Sequence, residues 1–258
     1  MKDEQLRVNV KTNAKERQTP KQGERQSGDI QAVCHDNKRK RANMSNKEIG
    51  EELSEVKSIE SSIRKLAGRT PEFLDHDKYN YFSVIMPVLA DTGDLLFEVR
   101  SDGLKNQPGE ICFPGGLIEA GETPQVAGVR EMCEELLVSP DDIEIIAPLD
   151  ILVTNHRAMV HPYVAYLRGY NGAFNHDEVK EVFTVPFLHF QKHDPIAHDT
   201  EISVIPCQGF PFDLIGGEDY PWRCAKHTVL FYLYKDKTIW GLTAQIIQNI
   251  VKLCRNGE

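Results

Sequence analysis

The sequence has 258 residues, which is enough for one sizeable domain or two small ones. Its net charge is −9, and the acidity lies after residue 50, because the first 50 residues contain more Lys and Arg than Asp and Glu. An acidic body argues against broad binding to nucleic acid or to an anionic membrane. No apolar run reaches the roughly 18 residues that a transmembrane helix requires.

The six cysteines form no C-x-x-C pair, and no His completes a zinc-finger spacing. We therefore expect reduced thiols in a cytoplasmic protein. The chain starts without the apolar segment of a signal peptide, and its last residues are not a peroxisomal tripeptide. Both features favour the cytoplasm.

Residues 1–43 are polar and lack hydrophobic periodicity, which predicts a disordered tail. The basic residues 38–41 fit either a nuclear-localisation or RNA-contact run or an ordinary solvated tail, and we favour the tail. Met44 is a candidate second translation start. An ordered domain is expected over residues 44–258.

A helical lead-in is predicted over residues 45–67. Ser45 and Glu48 fit a capping box, and Met44 with Ile49 fits a hydrophobic staple. Apolar residues then recur every three or four positions, and Gly68 is expected to end the helix. The apolar stripe packs either on the domain or on a partner subunit, and the second choice predicts a homodimer.

The core is predicted over about residues 80–254. Residues 81–90 and 95–99 are expected to form a hairpin around the turn at residues 91–94. Further strands are predicted at 143–147, 150–153, 162–167, 202–206 and 227–234, and a closing helix at 242–254. Strands on both sides of a central helix predict an α/β fold with a mixed sheet between helices.

The central helix carries three glutamates at spacings of i, i+3 and i+4: Glu131, Glu134 and Glu135. Residues at these spacings share one face of a helix. The apolar residues expected on the opposite, buried face are Val126, Val129, Met132, Cys133 and Leu136. Thr123 is expected to cap the helix start, and Pro124 suits the first helical position.

Neighbouring carboxylates repel one another, and a hard cation with oxygen ligands offsets that repulsion. The alternative is an ordinary solvated helix face. The wider spacing favours the cation, because it is similar to the Nudix box of pyrophosphohydrolases. The matching residues are Gly116, Glu122, Arg130, Glu131, Met132, Glu134, Glu135 and Val138. The resemblance implies the Nudix fold, an α/β/α sandwich with a central mixed sheet.

One residue of the box departs from the family. Leu137 stands where glycine is usual. If that position needs a positive φ, Leu137 strains the helix end by about 1–2 kcal/mol. No ligand of the box is lost with it.

The segment before the box resembles the signature of coenzyme A pyrophosphatases within this family. Its residues are Arg100, Ser101, Lys105, Gly109, Phe113, Pro114, Gly115 and Gly116. The signature has a second arginine where this chain has Lys105, so a bidentate guanidinium is replaced by a point charge. Arg100 and Lys105 are expected to contact phosphates; the alternative is that their charges only hold the loop.

The resemblance implies Mg²⁺ or Mn²⁺ bound by Glu131, Glu134 and Glu135, with a main-chain carbonyl of Gly115 or Gly116 as a further ligand. Glu122 and Arg130 are expected to pair and to fix the loop against the helix. Glu134 or Glu135 could activate the water. Our candidate for this general base, or for a further ligand, is Glu178 in a distant loop. Weaker candidates are Glu181, His156, His161 and His176.

The function implied is hydrolysis of the diphosphate bond of coenzyme A or acyl-CoA to 3′,5′-ADP and 4′-phosphopantetheine. The first alternative is another nucleoside diphosphate derivative, such as ADP-ribose, a dinucleotide or a damaged nucleotide. The second is a non-catalytic Nudix binding module, against which the retention of every box carboxylate argues. The expected partner is a small molecule, without nucleic acid or membrane.

Overall fold

The computed structural model describes residues 45–256. The predictions for residues 1–43 and for Met44 lie outside this range. The described chain divides by its internal contacts into two units, with the boundary after Glu72. Each unit is described by itself.

The first unit contains helix α1, Asn46–Arg64. The predicted capping box is present: the Ser45 hydroxyl accepts from the Glu48 N–H at 3.4 Å, and the Glu48 carboxylate accepts from the Ser45 N–H at 2.7 Å. The helix ends at Arg64, before Gly68, which closes the following turn with a φ of 81°. The surface that covers the apolar stripe of α1, either the domain or a partner subunit, stays a prediction.

The second unit is built on an eight-stranded sheet. Its strands are β1 (Asn80–Leu89), β2 (Asp94–Arg100), β3 (Ile111–Cys112), β4 (Gly115–Leu117), β5 (Ile143–Pro148), β6 (Leu152–Val153), β7 (Ala158–Leu167) and β8 (Val179–Pro186). Strand β1 runs parallel to β7 but antiparallel to β2 and β4. The predicted mixed sheet is therefore confirmed.

Three helices and a smaller sheet complete this unit. The helices are α2 (Pro124–Leu136), α3 (Phe187–Lys192) and α4 (Gly241–Asn256). The smaller sheet is antiparallel, in the order β11-β10-β9, with β9 (Ile196–Ile202), β10 (Ala225–Tyr234) and β11 (Lys237–Trp240). The predicted hairpin, central helix and closing helix are all present.

Side chains of the central strands alternate between the two faces of the sheet, so the hydrophobic core has two layers. Ile85 of β1 and Leu96 of β2 pack with Met132 of α2. Their neighbours Met86 and Leu95 belong to the other core cluster, which contains Ile246, Ile247 and Ile250 of α4. Because successive strand residues point to opposite faces, α2 and α4 cover opposite faces of the sheet. The predicted α/β/α sandwich is confirmed.

Three strands differ from the prediction. Strand β8 is not predicted, because the adjacent charged residues Lys180 and Glu181 interrupt its apolar alternation. The short strand β11 is also missed. The strand expected at 202–206 lies instead at Ile196–Ile202. Every residue of this strand is exposed, so its sequence lacks the alternation of apolar and polar residues that predicts a half-buried strand. Pairing with β10 holds β9 in place.

Leu137 ends α2 in the left-handed conformation, with φ 51° and ψ 42°. The side chain is 59% exposed, so its removal exposes little buried surface. A residue with a Cβ pays about 1–2 kcal/mol for this conformation, whereas glycine loses about 0.5–1 kcal/mol through its more flexible unfolded chain. We predict that Leu137→Gly raises the free energy of unfolding by about 1 kcal/mol in urea denaturation.

Leu137→Ala is the matched control, because it removes the exposed side chain but keeps the Cβ. It should give no gain in stability. An equal gain in both variants would show that the left-handed backbone is not strained here.

Candidate active site

Helix α2 starts as predicted but turns a different face to the sheet. Thr123 caps it, with its hydroxyl accepting from the Val126 N–H at 3.3 Å. Val126 itself is 54% exposed, so its predicted burial is wrong; Val129 and Cys133, also placed on the buried face, are only partly buried. The buried residues of α2 are Ala127, Gly128, Met132, Glu135 and Leu136.

The three glutamates do not share a solvated face. Glu135 is only 3% exposed, and the side chain of Glu131 is 16% exposed, whereas that of Glu134 is 54% exposed. Glu131 and Glu135 are one helical turn apart on the side that faces the sheet. The site is therefore a partly buried carboxylate pair with Glu134 at its solvent edge.

Glycine allows this close approach of helix and sheet. A Cβ on Gly128 would lie 2.6 Å from Ser83 Oγ and 2.9 Å from Ile85 Cδ1, both in β1. A Cβ on Gly116 in β4 would collide with the carboxylate of Glu131. Only glycine fits at these two positions without displacement of a neighbour.

Arg130 ties the loop before α2 to the helix. Its Nε and Nη2 donate to the two carboxylate oxygens of Glu122 at 2.9 and 3.0 Å, which is the predicted pair. Nη2 also donates to the Leu117 carbonyl at 3.1 Å, and Nη1 donates to Glu131 at 2.8 Å. The hydrogen bonds between Arg130 and Glu122 raise the pKa of the guanidinium and lower that of the carboxyl.

Main-chain hydrogen bonds connect Glu135 to two other segments. The Gly115 N–H donates to the Glu135 carboxylate at 2.9 Å, so β4 fixes this side chain. The Glu135 carbonyl accepts from the Asn175 N–H at 2.8 Å, which joins the end of α2 to the loop before β8.

That loop carries Glu178. The Glu178 carboxylate accepts from Asn175 Nδ2 at 3.4 Å, and its carbonyl accepts from the Ser101 N–H at 2.8 Å. Glu178 thus lies between the end of α2 and the loop after β2. The rival candidate Glu181 instead forms an ion pair with Lys237 at 2.8 Å.

Glu98 of β2 also belongs to this cluster, although the motifs do not include it. It is 1% exposed, and its Oε1 accepts from the Cys112 thiol at 3.3 Å. Its Oε2 is buried and has no hydrogen-bond partner within residues 45–256. A single glutamate inside the apolar run at 95–99 is the sequence signal that could have revealed it.

Burial is the main electrostatic influence on this cluster. It raises the pKa of Glu98, Glu131 and Glu135, because an ionised carboxylate loses hydration there. The charge of Glu98 raises the pKa of Glu135 further, and that of Glu178 raises the pKa of all three. The four carboxylates therefore repel one another across the space between α2 and the sheet.

The donor set fits a hard divalent cation in kind, since Mg²⁺ and Mn²⁺ prefer carboxylate oxygens. In the described part of the chain, no three His, Cys, Asp or Glu residues form a preassembled metal-holding group. The unpartnered Glu98 Oε2 and the repulsion between the carboxylates are both features that a cation would relieve.

Arg100 is the last residue of β2, and Lys105 lies in the loop that follows. Arg100 is paired opposite Val179, the residue after Glu178. Its Nε donates to the Asn106 carbonyl at 3.4 Å, while Lys105 is exposed and forms no ion pair with any described residue. Arg100 therefore lies beside the strand that begins after Glu178.

The three candidate histidines have other surroundings. The His161 ring lies beside Tyr81, with centroids 6.3 Å apart, and the His176 ring contacts Phe174 at 4.5 Å. Within the described residues, neither these rings nor that of His156 forms a hydrogen bond with a glutamate of the cluster.

Buried carboxylates beside a glycine-rich loop, on an α/β/α sandwich, are typical of metal-dependent enzymes that act on phosphorylated substrates. Residues 80–203 match the family model described as the NUDIX domain. Residues 80–203 are therefore a NUDIX domain, as the spacing predicts.

Three relatives are informative. The chain is 44% identical over 132 residues to the mouse peroxisomal coenzyme A diphosphatase NUDT7, an alignment covering 50% of this chain and 56% of that protein. It is 26% identical to Nudix hydrolase 3 of Caenorhabditis elegans over 69% of this chain and 75% of that protein. It is 32% identical to the nematode peroxisomal coenzyme A diphosphatase ndx-8 over 41% of this chain and 49% of that protein.

These similarities support the coenzyme A pyrophosphatase subfamily. The chain spans only about half the length of the two relatives named diphosphatases. Within residues 45–256, no helix is both long and apolar enough to cross a membrane.

We predict that Gly128→Ala lowers the free energy of unfolding by about 1–3 kcal/mol, the usual cost of overpacking a core. The new methyl group would meet the side chains of Ser83 and Ile85, which are fully buried and so have little room to move aside. The measurement is chemical denaturation followed by circular dichroism.

Gly103→Ala is the control, because the nearest atom to its new methyl group is Ser101 Oγ at 3.9 Å. It should leave stability unchanged. Equal stability of the two variants would contradict the close packing of α2 on β1.

Proposed function

We propose that this chain hydrolyses the diphosphate bond of coenzyme A or acyl-CoA with Mg²⁺ or Mn²⁺ as cofactor. The products are 3′,5′-ADP and 4′-phosphopantetheine or its acyl derivative. The observation that supports this most strongly is the hydrogen bond from Ser101 to Glu178, which joins the loop of Arg100 and Lys105 to the carboxylate cluster.

In this proposal Glu131, Glu134 and Glu135 hold the cation, with a main-chain carbonyl of Gly115 or Gly116 as a further ligand. A bound divalent cation neutralises the diphosphate and acidifies water. Close contact between Gly116 and Glu131 keeps the loop carbonyls near these carboxylates.

Arg130 and Glu122 act as positioning residues. Their bidentate pair, with the bond from Arg130 to the Leu117 carbonyl, holds the glycine-rich loop against α2. Loss of this pair would release the loop and the Glu131 side chain together, because Arg130 contacts both.

Glu178 is the proposed general base. It takes a proton from the attacking water, whose oxygen bonds to one phosphorus of the diphosphate while the bond to the bridging oxygen breaks. The leaving phosphate carries away the electron pair of that bond. The surrounding loop holds Glu178 through Asn175 and Ser101.

Arg100 and Lys105 supply the positive charge for the substrate phosphates, and we assign them to the 3′-phosphate that distinguishes coenzyme A from ADP-ribose. Lys105 is exposed and has no competing ion pair among the described residues. As a point charge it binds phosphate with less directionality than arginine.

We also propose one hydrolase domain over residues 44–258, with α1 as its helical lead-in, and a small-molecule substrate rather than nucleic acid. A homodimer through the stripe of α1 stays a prediction. The cytoplasm is our prediction for the compartment, from the cysteines; NUDT7 and ndx-8 are both named peroxisomal.

Glu134→Gln tests the cation site, because it removes one ligand charge at the solvent edge, together with the 3.4 Å ion pair between Glu134 and Arg130 Nη1. We predict a loss of at least about 100-fold in kcat for coenzyme A with Mg²⁺ or Mn²⁺, consistent with loss of a cation ligand. Product analysis by liquid chromatography measures the rate, and EDTA should abolish it in the parent chain.

Glu119→Gln, an exposed acid in the loop before α2, is the matched control and should retain full activity. Full activity of Glu134→Gln as well would make the assignment of the cation ligands wrong.

Lys105→Ala tests the substrate. We predict that it lowers kcat/KM for coenzyme A about tenfold, the size expected for loss of one charge-assisted phosphate contact, and leaves ADP-ribose and NADH nearly unchanged. Initial rates on the three substrates, measured side by side for both chains, give the comparison.

Lys226→Ala removes an exposed lysine from β10 and should change none of the three rates. Equal rates of the parent chain on all three substrates would contradict coenzyme A specificity. They would leave a broader nucleoside diphosphate hydrolase as the function.

A further inference from the structure

Glu98 is a buried ionisable side chain that the family motifs leave without a role. It is 1% exposed, and its Oε2 has no hydrogen-bond partner among the described residues. A buried carboxylate oxygen without a partner is strongly unfavourable, so its presence calls for a group that is bound in the working protein.

Glu98 lies on the face of the sheet that carries the carboxylate cluster, not on the face covered by α4. Along β2, Glu98 shares a face with Leu96, which packs on Met132 of α2. The charges that act on Glu98 include those of Glu131 and Glu178, and the charge of Glu98 acts in turn on Glu135.

The neighbouring side chains do not satisfy Glu98. The Cys112 thiol is a weak donor and reaches only Oε1. Arg100 acts on Glu98 electrostatically, but its side chain donates a hydrogen bond to the Asn106 carbonyl. A proton on Oε2 would create a hydroxyl donor that also lacks a partner among the described residues. A cation contacts the oxygen directly and reduces the repulsion from the neighbouring carboxylates.

We propose that Glu98 contributes a further carboxylate oxygen to the divalent cation site of the α2 glutamates. This inference rests on the proposed function, in which that site holds Mg²⁺ or Mn²⁺. The strand β2 then supplies a ligand from the sheet, opposite the ligands from the helix.

A merely structural role is the competing explanation. In that case Glu98 would serve only as the acceptor for Cys112, between β2 and β3. The two roles differ in which substitution weakens cation binding: Glu98→Gln alone does so for a ligand, whereas Cys112→Ala does so equally for a structural role.

The experiment is titration of the full chain with Mn²⁺, followed by the electron paramagnetic resonance signal of the free ion. Glu98→Gln should weaken Mn²⁺ binding about 10- to 100-fold, the range measured when residues supporting metal sites are lost. Glu181→Gln, which removes the same charge from the adjacent β8, should bind Mn²⁺ within about twofold of the parent chain.

Thermal unfolding without metal is the second measurement. Glu98→Gln should melt at or above the temperature of the parent chain, because a buried repulsive charge is removed, and should gain less from added Mn²⁺. Cys112→Ala, which removes only the thiol contact, should keep the parent affinity for Mn²⁺. Glu98→Asp keeps the charge with a shorter reach and should bind with intermediate affinity.

Parent-like Mn²⁺ affinity in Glu98→Gln would overturn the role of Glu98 and leave the proposed function standing. An equal loss in Cys112→Ala would also overturn it, in favour of the structural explanation. Absence of Mn²⁺ binding in the parent chain would overturn the metal-dependent function itself, and the Glu98 role with it.

Discussion

Close contact between α2 and the sheet is the constraint from which the rest of the site follows. Gly128 on the helix and Gly116 on β4 let the two elements approach until Glu131 and Glu135 lie against the strands. Burial then raises the pKa of both carboxyls and intensifies their repulsion. Stability from the two apolar layers of the sandwich offsets this local cost, so an unfavourable charge arrangement persists inside a stable fold.

Each carboxylate is fixed by a different part of the chain. Arg130 holds Glu131 and also holds Glu122 in the preceding loop. Glu135 is fixed by the Gly115 N–H, and Asn175 joins its carbonyl to the Glu178 loop. Because these contacts share partners, movement of the loop, the helix or the segment before β8 would disturb the others.

Local chemistry made part of this arrangement predictable from sequence. Three of its features depend only on residues close in sequence, and the structure has all three. They are the helix cap at Thr123, the ion pair of Glu122 and Arg130, and the positive φ of Leu137 at the helix end. Tertiary packing decided what was missed: the box spacing fixes a helical face but not which face the sheet covers. Helical or strand periodicity alone does not reveal features that depend on partners distant in sequence. These features are the burial of Glu135, the presence of Glu98 in the carboxylate cluster, and the exposed strand β9.

Glu98 and Leu137 are two positions at which a local feature destabilises this domain. Leu137 holds a left-handed backbone with an exposed side chain, and Glu98 keeps a buried oxygen without a partner. Both residues lie next to the carboxylates of α2, one at the helix end and one across from the helix on β2. Strain at a helix end and an unpaired buried charge have no advantage for folding, and such features concentrate where a ligand compensates for them. Leu137 offers no ligand atom, whereas Glu98 offers an oxygen, so the argument for function applies to Glu98 alone.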